Sequence, residues 1–320
     1  PSSHTRRSSD LSAMNLRRLK YFVKIVDVGS LTQAADILHI AQPALSQQLA
    51  TLEGEVNQQL LIRTKRGVTP TDAGKTLYCH AQSILRQCEL AQSAIDMTGV
   101  SLSGSVSVGL APGTAAQNLA LPLMKEVAQQ HPGIVLYFNE NVGATLTELI
   151  INGRMDMAVT YDHRNIHGLR VMPLLKEDMY FVCPFSLSKP EKEISLSQVA
   201  QYELFLPRSD NTVRKVLNDA FVQNNLHYRV KCEIESHTTL NATLSAGLGA
   251  TILPESAARS LLKNGDTWMA KIIEPNVQAC LSFCLADNQP LSQPAEAVKS
   301  ILLSMMSRRN VENHPLALVG

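Results

Sequence analysis

Residues 30–52, SLTQAADILHIAQPALSQQLATL, constrain the fold of this chain more than any other stretch. Ser30 followed three residues later by Gln33 fits a capping box at a helix start. Leu31, Ala34, Ala35 and Leu38 then recur at the spacing of a half-buried helix. His39–Ala41 interrupts the period, and Pro43 sits in the first turn of the next helix, where a missing N–H costs little. Leu45, Leu49, Leu52 and Val56 form one apolar stripe. Pro43, Gln47 and Ala50 lie opposite it, with Ser46 on the flank and Gln42 at the start. That outer face has small groups and amides and almost no charge. Such a face can approach base edges, and a Gln amide matches the donor–acceptor pair of adenine. An ordinary helical hairpin would give the same two periods, so the flanks decide between the readings.

Before the pair, Leu16, Leu19, Phe22, Val23 and Val26 outline an amphipathic helix carrying Arg17, Arg18, Lys20 and Lys24. It supplies a third wall for a small core. After the pair, LLIRTKRGVTPTDAGK places Arg63, Lys65 and Arg66 before Gly67. A short basic hairpin after a recognition helix is a wing whose cations suit phosphates. The bland alternative, a solvated basic turn, loses ground beside a recognition helix.

This arrangement resembles the LysR-type transcriptional regulators. The matching residues are the run from Ala34 to Glu53 and LLIRTKRGVTPTDAG, Leu60 to Gly74, followed by a long sensor part. The resemblance covers essentially residues 14–310. MNLRRLKYFVKIVDVGSLTQAA, IRTKRGVTPTDAGK and ESAARSL are similar to the branch of the family that controls nitrogen assimilation. Two departures stand out. Many members have Ser or Thr where Ala41 precedes the Gln–Pro pair, so the helix start loses a cap worth about 1 kcal/mol. Many also carry Arg where Gln47 stands, which shifts direct reading from guanine toward adenine, A·T steps and shape.

Net charge is only +1 over 320 residues, which by itself does not mark a nucleic-acid binder. Residues 1–100 hold 11 Lys and Arg against 8 Asp and Glu, clustered at 17–24 and 63–66, and local clustering matters more than the sum. No apolar run of about 18 residues predicts a membrane span, and no signal-peptide pattern is visible. PSSHTRRSSDLSA, residues 1–13, reads as a disordered extension or tag before Met14. The six cysteines, Cys79, Cys88, Cys183, Cys232, Cys280 and Cys284, match no zinc spacing. Cys280 and Cys284 fall on one face of an expected strand. No paired histidine spacing, nucleophile elbow, Walker A or dinucleotide fingerprint occurs. The expectation is therefore a non-enzyme with no cofactor and no metal.

Residues 72–100 predict a long linker helix. Leu77, Ala81, Ile84, Cys88, Ala91 and Ile95 alternate spacings of four and three, a heptad seam. It pairs either with a second copy or with the chain's own body; the resemblance favours a homodimer placing two recognition helices on a palindrome. SLSGS at 101–105 starts a hinge, assigned to 101–104.

Strand and helix periods then alternate from residue 105, which predicts a parallel sheet with helices on both faces. Strands are expected at 105–111, 134–140, 155–162, 179–184, from 204, from 228, from 249 and at 278–286. Helices are expected at 119–130, 142–152, 212–225, 238–246 and 293–306. The fold class is thus α+β overall. An all-α-rich winged helix-turn-helix (14–71) and a dimerisation helix (72–100) precede a two-lobed α/β, periplasmic-binding-protein-like effector domain (105–310). Lobe I takes 105–175 and 276–310, lobe II takes 176–275, and 311–320 is a tail.

The DNA-facing set is Ser30, Thr32, Gln42, Pro43, Ser46, Gln47, Arg63, Lys65 and Arg66. In open α/β sheets ligands sit beyond the strand C-termini, near helix N-termini whose N–H groups favour anions. Pro112, Gly113 and Thr114, then Arg208 and Ser209, then His237 and Thr238 are the effector candidates, each also explicable as helix capping. The resemblance implies double-stranded DNA, a second copy as dimer or tetramer, and RNA polymerase as partners. It also implies a cytoplasmic location and leaves the existence of a small-molecule effector open. A ligand-binding receptor without specific DNA binding is the competing function.

Overall fold

The computed structural model describes residues 15–64, 67–96, 102–112, 116–161, 166–262, 265–287 and 289–313. The chain divides into two units, Pro1–Asp96 and Met97–Gly320. The expected extension at 1–13 and most of the tail at 311–320 lie outside the described residues.

In the first unit, α1 (Leu16–Val28) opens under the Asn15 side chain and closes at Gly29 in the left-handed region, as a C-terminal glycine allows. Helix α2 (Leu31–Ile37) is capped by Ser30, whose Oγ accepts from the Gln33 amide at 3.4 Å. His39, at φ 53°, makes the turn. Helix α3 (Gln42–Val56) starts at Ala41 with no side-chain cap and with Pro in its first turn. Strands β1 (Leu61–Thr64) and β2 (Gly67–Pro70) form an antiparallel hairpin. Helix α4 (Asp72–Asp96) follows, with the Thr71 hydroxyl accepting from Gly74 N at 3.0 Å. Leu19, Phe22, Ile25, Ala34, Ala35, Leu45, Leu49, Leu52, Leu60 and Leu61 bury together in one core with Ala81 of α4. The four-and-three spacing in the sequence is thus the inward stripe of each helix.

Two contacts fix the hairpin. The Glu53 carboxylate of α3 accepts from the backbone N–H of Leu60 at 2.8 Å and Leu61 at 3.1 Å. The Val68 N–H donates to the Gly29 carbonyl at 2.8 Å. A Cβ on Gly67 would stand 2.6 Å from that same carbonyl oxygen.

In the second unit, β3 (Ser103–Leu110), β4 (Gly133–Glu140) and β5 (Met157–Thr160) are parallel neighbours. A single π-helical turn at Ala116–Ala120 leads into α5 (Leu121–Gln130), and α6 (Gly143–Ile151) links β4 to β5. Strand β6 (Leu169–Pro184) is followed by β7 (Glu193–Ser195), α7 (Leu196–Val199), β8 (Glu203–Leu206), α8 (Thr212–Gln223), β9 (Arg229–Glu233) and α9 (His237–Ser245). Then come β10 (Thr251–Pro254), α10 (Glu255–Leu261), β11 (Thr267–Ile273), β12 (Gln278–Ala286) and α11 (Gln293–Asn313).

The sheet is mixed rather than parallel. Strand β12 runs antiparallel to both β5 and β6, and β6 runs antiparallel to β10 and β11. Period-two patterns carry no direction, so the sequence could not distinguish the two. Strand β6 also begins ten residues before the expected start at Met179. Its first part, LRVMPLLKED, carries Pro173 and charges that mask alternation. A bulge lies there: Leu281 faces Leu175 and Ser282 faces Pro173, which leaves Leu174 as the extra residue. Met172 and Leu174 pack against the main core before the bulge; Leu175, Met179, Phe181 and Cys183 do so after it. The extra residue switches which positions face inward.

The first part of β6 pairs with β12 in one lobe and the rest with β10 and β11 in the other. Strands β7 and β11 and helices α7 and α10 were not anticipated, although Trp268, Ala270 and Ile272 alternate inward along β11. The expected hinge overlaps β3, which already includes Ser103 and Gly104; Ser101 lies outside the described residues.

Candidate nucleic-acid interface

The inward stripe of α3 leaves Gln42, Pro43, Gln47 and Ala50 exposed on the opposite face, with Ser46 half-buried at its edge. Thr32 of α2 is exposed, and Ser30 is half-buried where it caps α2. Ser30, Thr32, Gln42 and Arg63 line a groove of ≈ 580 Å³ with Gly29, Gly67 and Val68. Seven of the nine expected DNA-facing residues therefore lie on the outer face of α3, at its edge or in the groove beside it. Arg63 also reaches across to α3, where Nη1 donates to Ser46 Oγ at 3.0 Å. Ser30 does two jobs, since its hydroxyl oxygen is also the cap. Lys65 and Arg66 lie outside the described residues. Arg18 of α1 is not a free cation either: it pairs with Glu55 and donates through Nε to Gln48 at 3.1 Å.

The heptad seam divides. Ala81 is 0% exposed and Leu77 packs beside it against the unit's own core. Ala81 is thereby corrected from an intermolecular contact to an internal one, because the first turns of α4 close the small core behind α1. Ile84 is 38% and Ile95 69% exposed, and Cys88 and Ala91 are exposed with them. This second half is an apolar stripe left exposed by the described residues of the first unit.

In the second unit a cavity of ≈ 90 Å³ opens between the lobes. Water needs roughly 10–15 Å³ of such space, so several waters or a small molecule would fit. Ala111, Pro112, Val142, Gly143, Thr160 and Tyr161 line one side; Asn211, Thr212, Glu235 and His237 are among those on the other. The walls are mainly apolar. A Cβ on Gly143 would stand 2.6 Å from Thr160 Oγ1 and 4.0 Å from Thr212 Oγ1, so the lobes approach closely there.

Of the effector candidates, Pro112 and His237 line the cavity. Arg208, Ser209 and Thr238 are exposed and do not; Arg208 Nε lies 3.7 Å from Asp210 and its N–H donates to Glu235 at 2.9 Å. Gly113 and Thr114 lie outside the described residues. Asn211 caps α8 by accepting from Val213 N at 2.9 Å. Sequence reasoning considered three strand ends only. Past β9 the choice fell on His237 and Thr238 and passed over Glu235; extending the same rule to the ends of β4 and β5 reaches Gly143, Thr160 and Tyr161.

Burial holds the His237 imidazole below its ordinary pKa, and Glu140 opposes this more weakly. Its Nε2 lies 3.0 Å from Ser260 Oγ, but that hydroxyl donates to the Ala257 carbonyl at 2.6 Å. The histidine is then the donor of the pair, the reverse of what an activated serine nucleophile needs.

Residues 16–75 match the family model described as bacterial regulatory helix-turn-helix protein, lysR family. Residues 100–307 match the LysR substrate binding domain. The chain belongs to the LysR family of transcriptional regulators. It is 53% identical over 307 residues to the nitrogen assimilation regulatory protein nac of Klebsiella aerogenes, covering 96% of this chain and 100% of that one. The nac protein of Escherichia coli K12 is 52% identical over the same span, covering 96% and 100%. The fold is also that of full-length CbnR complexed with its target DNA, with a TM-score of 0.69 at 23% identity over 92% of this chain and 99% of that one.

Proposed function

We propose that this chain is a sequence-specific DNA-binding regulator of nitrogen-assimilation or related metabolic genes, acting as activator, repressor or both. The observation that carries the reading is the uncharged, exposed face of α3 beside the hairpin, in a chain 53% identical to a nitrogen assimilation regulator. Gln42, Pro43, Ser46 and Gln47 approach base edges in the major groove, and Arg63, Lys65 and Arg66 supply charge that phosphates attract. Two copies pair through Ile84, Cys88, Ala91 and Ile95 of α4 and set two recognition helices on an imperfect palindrome. A tetramer of such pairs would bridge two sites, bend the DNA and stand beside RNA polymerase.

The cavity between the lobes is the place for a small effector, if one is used, and the reversed His237–Ser260 polarity supports binding rather than catalysis. The absence of any helix long and apolar enough to cross a membrane, among the described residues, fits work at the nucleoid in the cytoplasm.

Selection of genomic fragments by the purified full-length protein, at near-physiological salt and without added ligand, tests this. Enrichment of one A·T-rich imperfect palindrome is expected. Binding without enrichment of any sequence, both alone and with metabolite extract, would overturn it in favour of a receptor that reads no DNA.

A further inference from the structure

We propose that Arg63 is a positioning residue for base reading: its bond to Ser46 fixes that hydroxyl as a donor toward one base acceptor in each half-site. The inference rests on the DNA-binding reading above. Strand β1 runs alongside α3 and is tied to it at two points seven residues apart on the helix. At one, the Glu53 carboxylate accepts from Leu60 N and Leu61 N. At the other, Arg63 Nη1 donates to Ser46 Oγ at 3.0 Å. Residues seven apart lie on one helix face, so the strand is held along that face toward the start of α3. The wing's first cation is thus placed at the edge of the reading face.

A hydroxyl carries one proton and two lone pairs. With a guanidinium donating into one lone pair, the oxygen is polarised and the O–H becomes the stronger donor. Ser46, beside Gln47 and one turn from Gln42 and Pro43, then offers the groove a strengthened donor beside its one remaining lone pair. The acceptors there are purine N7, guanine O6 and thymine O4, whereas the amino groups of cytosine and adenine are donors. Ser46 therefore favours an acceptor at its base position, and Arg63 contributes to sequence preference without touching a base.

The test uses the full-length protein and a set of duplexes with every position of one half-site of the selected palindrome varied. Binding is measured for the wild type, Ser46→Ala, Ser46→Thr, Arg63→Ala and the Ser46→Ala/Arg63→Ala double variant. Ser46→Ala and Arg63→Ala should each lose about fivefold of preference, the size of one hydrogen bond, at the same base pair. The double variant should lose no more preference than either, and Ser46→Thr, which keeps the hydroxyl, should retain it. Equal weakening of every duplex by Arg63→Ala, or relaxation at a different base pair from Ser46→Ala, overturns the proposal and leaves Arg63 with its phosphate role alone. Failure of the wild type to prefer any duplex removes the DNA-binding reading itself, and this is seen before any variant is compared.

Discussion

Single side chains set what this protein can read. Gln47 stands exposed on the face of α3 opposite the core stripe. Gln47→Ala should change the preferred bases, checked by repeating the fragment selection. Arg66→Ala should instead weaken all sequences about equally and lower the salt slope by about one, read from binding titrations at several ionic strengths. His237 belongs to the cavity. Its pKa is lowered in the fold, so the unfolded chain binds more protons near the ordinary value of 6.5. Folding then loses stability as pH falls through that value toward the lower folded one. Urea unfolding on acidification should show a steeper loss for the wild type than for His237→Gln. Gly74 is governed by space: a Cβ there would stand 2.0 Å from the Leu60 carbonyl oxygen. Gly74→Ala should destabilise the first unit by about 2 kcal/mol, measured by denaturant midpoint.

Elements show where a period in the sequence is enough and where it is not. Helix α4 is one helix with two surroundings. Its Leu77 and Ala81 close an internal core, while Ile84 and Ile95 are exposed. Ile95→Glu should raise the self-association constant for dissociation about tenfold or more with little change in thermal unfolding. Ala81→Glu should unfold the unit instead, since it buries an unpaired charge. Sedimentation and melting curves of the two variants separate these outcomes. The seam was legible as a period, but a spacing of four and three does not say which neighbour it meets. The two helices of residues 31–56 were legible because stripe, break and proline agree locally, and β12 because its apolar run is continuous. The first half of β6 was not: its partner β12 lies more than one hundred residues away, and Pro173 and Leu174 break its alternation. Cavity residues such as Gly143 and Thr160 were missed for a similar reason. Each matters only once the ends of separate strands are brought together.

At the scale of the whole molecule, each unit has buried clusters of its own among the described residues: one on residues between Leu19 and Ala81, the others on residues between Val106 and Met306. Calorimetry should therefore show two transitions. A palindromic duplex at about one hundred times its dissociation constant should stabilise one of them by about 2.7 kcal/mol and leave the other in place; a single transition shifted as a whole would show that the units unfold together. Strand β6 has the opposite property, because one backbone serves both lobes. Its side chains alternate faces with a period of two, and the extra residue at Leu174 corrects the phase midway. The length of this strand is therefore quantised over evolutionary time. An insertion or deletion of two residues preserves which side each lobe's core is built on. Loss of one residue exchanges the two faces beyond it, setting Tyr180 and Val182 where Met179, Phe181 and Cys183 now pack, unless a second change elsewhere in the strand restores the parity that the bulge now supplies.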